Sequence, residues 1–435
     1  MVLPPLLYIV LMIELYNQKK PEENMAIVKS FKCVRPVKEL AEQVASLPYD
    51  VYDRKEAKAA VSGKPYAFLN IDRPETAFDD SFDMYSKEAY EKAKNLYEEF
   101  KNKGIYEKDN EDGYYLYELT MNGRSQIGIV GLASVDDYLN DIIKKHENTR
   151  EEKEIDRIKH VDTVNAQTGP IFLAYKKNDD LKKIISENIS DNPIYDFVSD
   201  DGIGHRVWKV DKAYNEQIRE CFENIESLYI ADGHHRAASA VKVALKRRQN
   251  ENNPNAEYNY FLSVIFDERQ LHILPYNRIV LDLNKKSVEE VMSLIAVNFD
   301  VTESPVLEEI GDRGEFGMLV KDKFYILSAK KKVLDSVSGD VIKSLDVSIL
   351  QDLVLEHIFG IKDPRTDERI KFAGGIRGVG YLKSEIDNDR GKVAFLMYPT
   401  SMEELFAVAD ENKLMPPKST WFEPKLRSGI FIHEI

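Results

Sequence analysis

The hydrophobic positions of the chain alternate between two periods. Between Tyr85 and Lys103, Tyr90, Ala93, Leu96, Tyr97 and Phe100 recur at helical spacing and predict an amphipathic helix. The segment GYYLYELTMNGRSQIGIVGLA predicts two strands joined at Asn122-Gly123, a pair suited to a tight hairpin because both residues must take positive φ. A β-like start (Ile27, Val28, Phe31), a helix over Val37–Ser46 and a buried strand at Pro65–Ile71, PYAFLNI, complete the first stretch. Further on come a short strand ending near Lys145 and a charged helix over Thr149–Val164. A strand at Pro170–Tyr175, a helix at Leu181–Ile189 and a hairpin through Tyr195–Val198 and Gly204–Val210 follow. A strand at Leu228–Ala231 leads through a turn to a helix at Ala237–Arg248, then a strand at Phe261–Asp267. Beyond a boundary near Lys285 the pattern predicts a helix at Ser287–Asn298, a hairpin in FGMLVKDKFYILSA and an amphipathic helix at Asp346–Phe359. It ends with a strand and helix in VAFLMYPTSMEELFAVADEN, where Ser401 and Glu404 fit a capping box. The fold class expected is α/β (α+β), with domains over 25–134, 135–284 and 285–435.

Composition narrows the class. The chain has 435 residues, 43% of them hydrophobic, enough for more than one core. Acids outnumber bases by 75 to 60, a net charge of −15 that argues against coating duplex DNA, whose nonspecific affinity comes from lysine and arginine. No helix-turn-helix with a basic second helix follows residue 237, since LKRRQNENNPN is a short basic end and then a loop. Two distant cysteines, Cys33 and Cys221, suggest reduced thiols in a cytoplasmic protein. The apolar run in MVLPPLLYIVLMIELYNQKKPEEN is short of the roughly 20 residues of a membrane span. It also lacks the basic n-region and cleavage site of a signal peptide. Residues 1–24 are therefore set apart from the fold as an upstream extension.

The chemistry concentrates in LYIADGHHRAASA, residues 228–240. Strand, glycine turn, then helix is a geometry that directs backbone amides at one point, where the helix dipole adds positive charge. Gly233 allows close backbone approach, His234 and His235 can donate to phosphate oxygens, and Arg236 offers a planar fork. Asp232 would repel phosphate, so its use there would be to hold Mg²⁺ or orient a histidine. The plainer reading is an N-cap aspartate before a solvated basic helix end. Three cation-capable residues at the positive end of a dipole work against stability, which favours a ligand. A metal site made from the two histidines is disfavoured because neighbouring side chains on a turn diverge. The chain has no GxxxxGK[ST], and AGGIRGVG is not GxGxxG before a helix.

The DGHHR box after a strand resembles the phosphate-binding motif of the ParB/sulfiredoxin-like superfamily, and within it that of free-serine kinases using ADP or ATP. From Met25 onward the chain also resembles a bacterial and archaeal family of unknown function carrying the label SpoOJ/ParA/ParB/RepB. That likeness rests on LPYDV (47–51), IIKKHENT (142–149), NAQTGPIF (165–172), YIADGHHRAA (229–238) and MPPKSTWFEPKLRSGI (415–430). The resemblance implies a ParB/sulfiredoxin-like nucleotide-binding core flanked by N- and C-terminal α/β domains. Matched by order of elements, Glu147 falls where the kinases place the carboxylate that takes the proton from the serine hydroxyl. His146 would then serve as a phosphate donor or as the orienter of Glu147.

These readings imply a phosphotransferase that uses ATP or ADP with Mg²⁺ on a small hydroxylated metabolite such as free serine. Glu147, Asp232, His234, His235 and Arg236 are the catalytic candidates. Gly233, His234, His235, Arg236, His146, Arg150, Arg157 and Asn165 are the cofactor-binding candidates, with Asp232 toward the metal. Lys153 reads more readily as solvated helix surface, and Arg157 divides evenly between that and the site. Asn165, Gln167 and Thr168 could bind substrate or cap a turn. Lys418, Ser419, Thr420, Lys425 and Arg427 could serve an anion or a structural strap. Two other classes compete: a ParB-related nucleotide-binding regulator without kinase activity, and a scaffold with a vestigial site. Neither a membrane nor DNA is an expected partner, and the oligomeric state is open.

Overall fold

The computed structural model describes residues 25–251 and 253–435, and the extension expected over 1–24 lies outside them. The fold is mixed α/β, in two compact units. The first takes the described residues up to Lys145, then Thr149–Leu271 and Pro424–Ile435; the second takes His146–Asn148 and His272–Glu423.

The first unit is built on a nine-stranded sheet. Its strands are β1 (Val28–Lys29), β2 (Tyr115–Met121), β3 (Arg124–Ser134), β4 (Ile143–Lys144) and β5 (Ile171–Tyr175). The remaining four are β6 (Tyr195–Val198), β7 (Gly204–Lys209), β8 (Leu228–Asp232) and β9 (Tyr260–Asp267). Their order is β4-β8-β5-β9-β3-β2-β7-β6, with β1 on β3. The hairpin expected at Asn122-Gly123 joins β2 to β3, with φ of 52° and 77° at its two turn residues and Met121 opposite Arg124. Strands from both sides of residue 134 share this sheet, and the chain passes from the first unit to the second at Leu271–His272.

The helices of this unit include α1 (Arg54–Val61), α2 (Lys87–Asn102), α3 (Glu151–Val164) and α4 (His234–Arg248); α4 packs on β5 and β9, and α3 lies between α2 and α4. On α2 the residues Ala89, Tyr90, Ala93, Tyr97 and Phe100 are buried, as the periodicity required, while Leu96 is half-buried. PYAFLNI is not a strand. Phe68 donates its amide to the Val44 carbonyl and the chain turns into a short helix, Leu69–Asp72. A brief apolar run suits a buried helical turn as well as a strand, and here the tertiary surroundings chose the turn.

The second unit carries a six-stranded antiparallel sheet. It comprises β10 (Tyr276–Val280), β11 (Phe299–Ser304), β12 (Glu315–Val320), β13 (Lys323–Ala329), β14 (Ile370–Gly374) and β15 (Val393–Met397), ordered β11-β13-β12-β15-β10-β14. Helices α5 (Val288–Ile295) and α6 (Met402–Asp410) each begin with a capping box, the second from Ser401 and Glu404 as expected. The helix expected over Asp346–Phe359 starts as α-helix and widens to a π-helical stretch at Gln351–Glu356. Val354 and Ile358 are buried there but His357 is exposed. Added width rotates the later residues off the face that a 3.6-residue repeat assigns them. Among the described residues, no helix is long and apolar enough to cross a membrane.

Candidate functional site

The turn after β8 is assembled from neighbours in the sheet. β4 pairs with β8 in parallel and β5 pairs with it antiparallel, so the expected succession of strand, helix, strand and box is realised around it. The β8–β5 register slips between Ile230 and Asp232, a bulge that re-aims the chain at the point of interest. Gly233 follows with φ 94° and ψ 29°, and α4 begins at His234. A side chain at 233 would be strained by that φ, and its Cβ would lie 3.1 Å from Nε, Cζ and Nη2 of Arg236. Glycine is needed because the guanidinium folds back over the turn.

Asp232 is the counter-ion of this cluster. Its Oδ1 accepts from the Gly233 amide at 2.9 Å, and its Oδ2 accepts from Lys425 Nζ at 3.2 Å, with Arg236 Nη2 at 3.8 Å. Burial works against its ionisation, but Lys425 first and then Arg236 outweigh that and hold the carboxyl well below the usual range. Both oxygens are thus committed to cations and an amide. Asp232 was expected to hold magnesium or orient a histidine; its partners here carry positive charge, and a metal there would have to displace them. Lys425 is the residue that sequence reasoning left unplaced, 193 positions from its partner. The box at 415–430 was the only signal for it.

Arg236 donates from Nη1 to the Pro170 carbonyl at 2.5 Å, while its buried Nε has no acceptor among the described residues. The guanidinium borders a cavity of about 30 Å³, lined also by Tyr49, Asp72, Arg157, His160 and Thr168. That space suits a single water rather than a nucleotide. The Tyr49 hydroxyl is also buried, with no hydrogen-bond partner among the described residues. Arg157 is buried there, its Nε donating to Asp156 at 2.9 Å and its guanidinium 4.1 Å from the centre of the Tyr49 ring. The structure therefore brings Arg157 and Arg236 to one cavity and removes Arg157 from the solvated helix surface.

Other expected site residues have structural positions. His235 Nε2 accepts from the Arg150 amide at 2.9 Å. Arg150 itself is exposed at the start of α3. Asn165, expected to bind cofactor, ends α3 in the left-handed conformation at φ 59° and is exposed. Gln167 clamps β9 by donating to the Tyr260 carbonyl and accepting from the Leu262 amide. His234 is buried in the first turn of α4. His146 and Glu147 belong to the second unit, where the His146 carbonyl accepts from the Met415 amide at 2.8 Å and its Nε2 lies 3.3 Å from the Thr420 hydroxyl.

Among solved structures, a free serine kinase variant in complex with AMP is similar at 14% identity, over 68% of this chain and 90% of that chain, with a TM-score of 0.35. A conserved hypothetical protein from Pyrococcus furiosus is similar at 15% identity, over 69% and 93%, with a TM-score of 0.32. SbnI with C-terminal truncation, from Staphylococcus aureus, is similar at 11% identity, over 68% and 85%, with a TM-score of 0.36. No curated protein matches the sequence. A family model matches residues 28–348, and the chain belongs to that family, described as proteins of unknown function (DUF1015).

Proposed function

We propose that the turn at 232–236 grips the phosphate of ATP or ADP, and that the protein transfers a phosphoryl group to a small hydroxylated metabolite such as free serine. The observation that carries this reading is the convergence of Arg236 and Lys425 on Asp232, next to Gly233 at the positive end of α4. Cations at that end of a helix work against its dipole by roughly 0.3–1 kcal/mol each. A bound phosphate would be met by both cations and by the first-turn amides of α4, as in other anion sites at helix starts. The likeness of the DGHHR box to that of free-serine kinases supports the same assignment.

In this scheme Lys425 and Arg236 bind and orient the donor phosphate. Glu147 takes the proton from the acceptor hydroxyl, a role that rests on the sequence resemblance alone. Asp232 does not fit as a magnesium ligand, and no step is assigned to a protein-bound metal. Incubation with magnesium-ATP or magnesium-ADP and serine, read by mass spectrometry, is expected to give phosphoserine, and Glu147→Gln to abolish it. Nucleotide binding without transfer to any hydroxylated amino acid would instead mark a nucleotide-binding regulator. No stabilisation by either nucleotide would end the reading altogether.

A further inference from the structure

The first unit contains a second, larger cavity of about 410 Å³, bounded by α1, the 42–47 segment and the 199–201 loop. We propose that it binds a small zwitterion, an amino acid or short peptide, with Arg427 receiving the carboxylate.

Arg427 lines this cavity and is only 2% exposed. Its Nη2 is fully engaged, donating to Ser199 Oγ at 3.0 Å and to both oxygens of Asp201 at 2.7 and 2.5 Å. None of the described residues accepts from its buried Nη1. A buried guanidinium donor without an acceptor is costly to leave so, and a carboxylate oxygen is its best-matched partner. The network behind it is rigid: Ser199 Oγ also lies 3.0 Å from His205 Nε2, and His205 Nδ1 lies 2.8 Å from the Tyr117 hydroxyl. Arg427 is thus held in place before a ligand arrives.

The rest of the lining selects against a simple anion. Glu42, Asp200 and Asp201 outnumber the two cations, Lys64 and Arg427, and Lys64 is already paired with Asp200 at 2.5 Å. Glu42 is exposed at the cavity and has no cation in an ion pair among the described residues. An ammonium group near Glu42 and a carboxylate at Arg427 would together leave the cavity's charge unchanged on binding. Tyr52 and Tyr66 add half-buried rings, surfaces suited to an ammonium or an apolar side chain. The inference does not depend on the nucleotide reading, because neither Arg427 nor this cavity takes part in it.

The test is calorimetry and thermal denaturation of the full chain with the twenty amino acids and a set of dipeptides, each beside its decarboxylated amine and its deaminated acid. At least one zwitterion is expected to raise Tm by about 5 °C at a hundredfold excess over Kd, and the matched amine and acid to bind at least tenfold more weakly. Arg427→Lys, which keeps a charge for Asp201, and Ala60→Leu, which fills the cavity from α1, should each weaken binding tenfold or more. ADP binding should stay as it was. If Arg427→Lys does not fold, Ala60→Leu alone decides. Binding by none of the panel, equal binding of an acid and its zwitterion, or full affinity in Ala60→Leu overturns the proposal.

Discussion

Asp232 shows how one side chain can have opposite meanings in sequence and in structure. An acid inside a phosphate cradle suggests a metal, yet here it holds Lys425 and Arg236 in place as their anion. A metal ligand and a counter-ion respond differently to Asp232→Asn. As a counter-ion that competes with phosphate, its loss should tighten ADP binding in EDTA by about tenfold, roughly 1.4 kcal/mol. A metal ligand would give weaker binding that depends on magnesium, and titration calorimetry separates the two. His205 offers a pH prediction. Burial, aided by the nearby Arg427, pushes its pKa down to about 3, so the folded protein holds the ring neutral where an unfolded chain would take up a proton. Its contribution to stability is complete above pH ~6.5 and is lost as pH falls toward 3, by about 1.4 kcal/mol per pH unit. Urea denaturation of His205→Gln should therefore show a shallower loss than the parent between pH 6 and 4. Parallel curves would show that the ring is not held neutral.

At the scale of elements, legibility followed the strength of local signals. The Asn122-Gly123 hairpin, the apolar face of α2 and the capping box of α6 were readable because turn chemistry and periodicity act over a few residues. The strand–glycine–helix turn at 233 was readable for the same reason. PYAFLNI was not, since seven residues cannot distinguish the two periods, and the π-helical stretch at 351–356 leaves no mark on a 3.6-residue count. The bulge at Ala231 and the arrival of Lys425 were also hidden, because both depend on strands and segments distant in sequence. Gly429 tests the segment that carries Lys425 and Arg427. It sits at φ 84°, and an added Cβ would come within 2.5 Å of the Phe68 ring. Backbone strain of roughly 1–2 kcal/mol and overpacking of roughly 1–3 kcal/mol predict that Gly429→Ala costs about 3 kcal/mol, readable as a lower Tm. A change under about 0.5 kcal/mol would show that this segment packs loosely.

At the scale of the molecule, the closing residues of the described chain return to the first unit. The first unit gathers three separated stretches, and no composition shift along the chain announces that Pro424–Ile435 belongs with residues before 272. Those last residues supply Lys425 to the turn, Arg427 to the larger cavity, and His433–Glu434 as a strand paired with Ala166–Gln167. Ile430, Phe431 and Ile432 are fully buried. Ending the chain at Glu423 should therefore destabilise the first unit by more than 4 kcal/mol, beyond the usual reach of a point mutation. Limited proteolysis would then cut within residues 25–271 while the second unit persists, and an intact first unit would contradict this.

That closing stretch also sets an order of events during synthesis. A nascent chain carries the DGHHR turn nearly two hundred residues before the lysine that joins Arg236 at Asp232 is translated. Until residues 424–435 have been made, the first unit waits with part of its core unfilled. The turn at 232–236 therefore takes its final form only after the segment carrying Lys425 has been made and has packed.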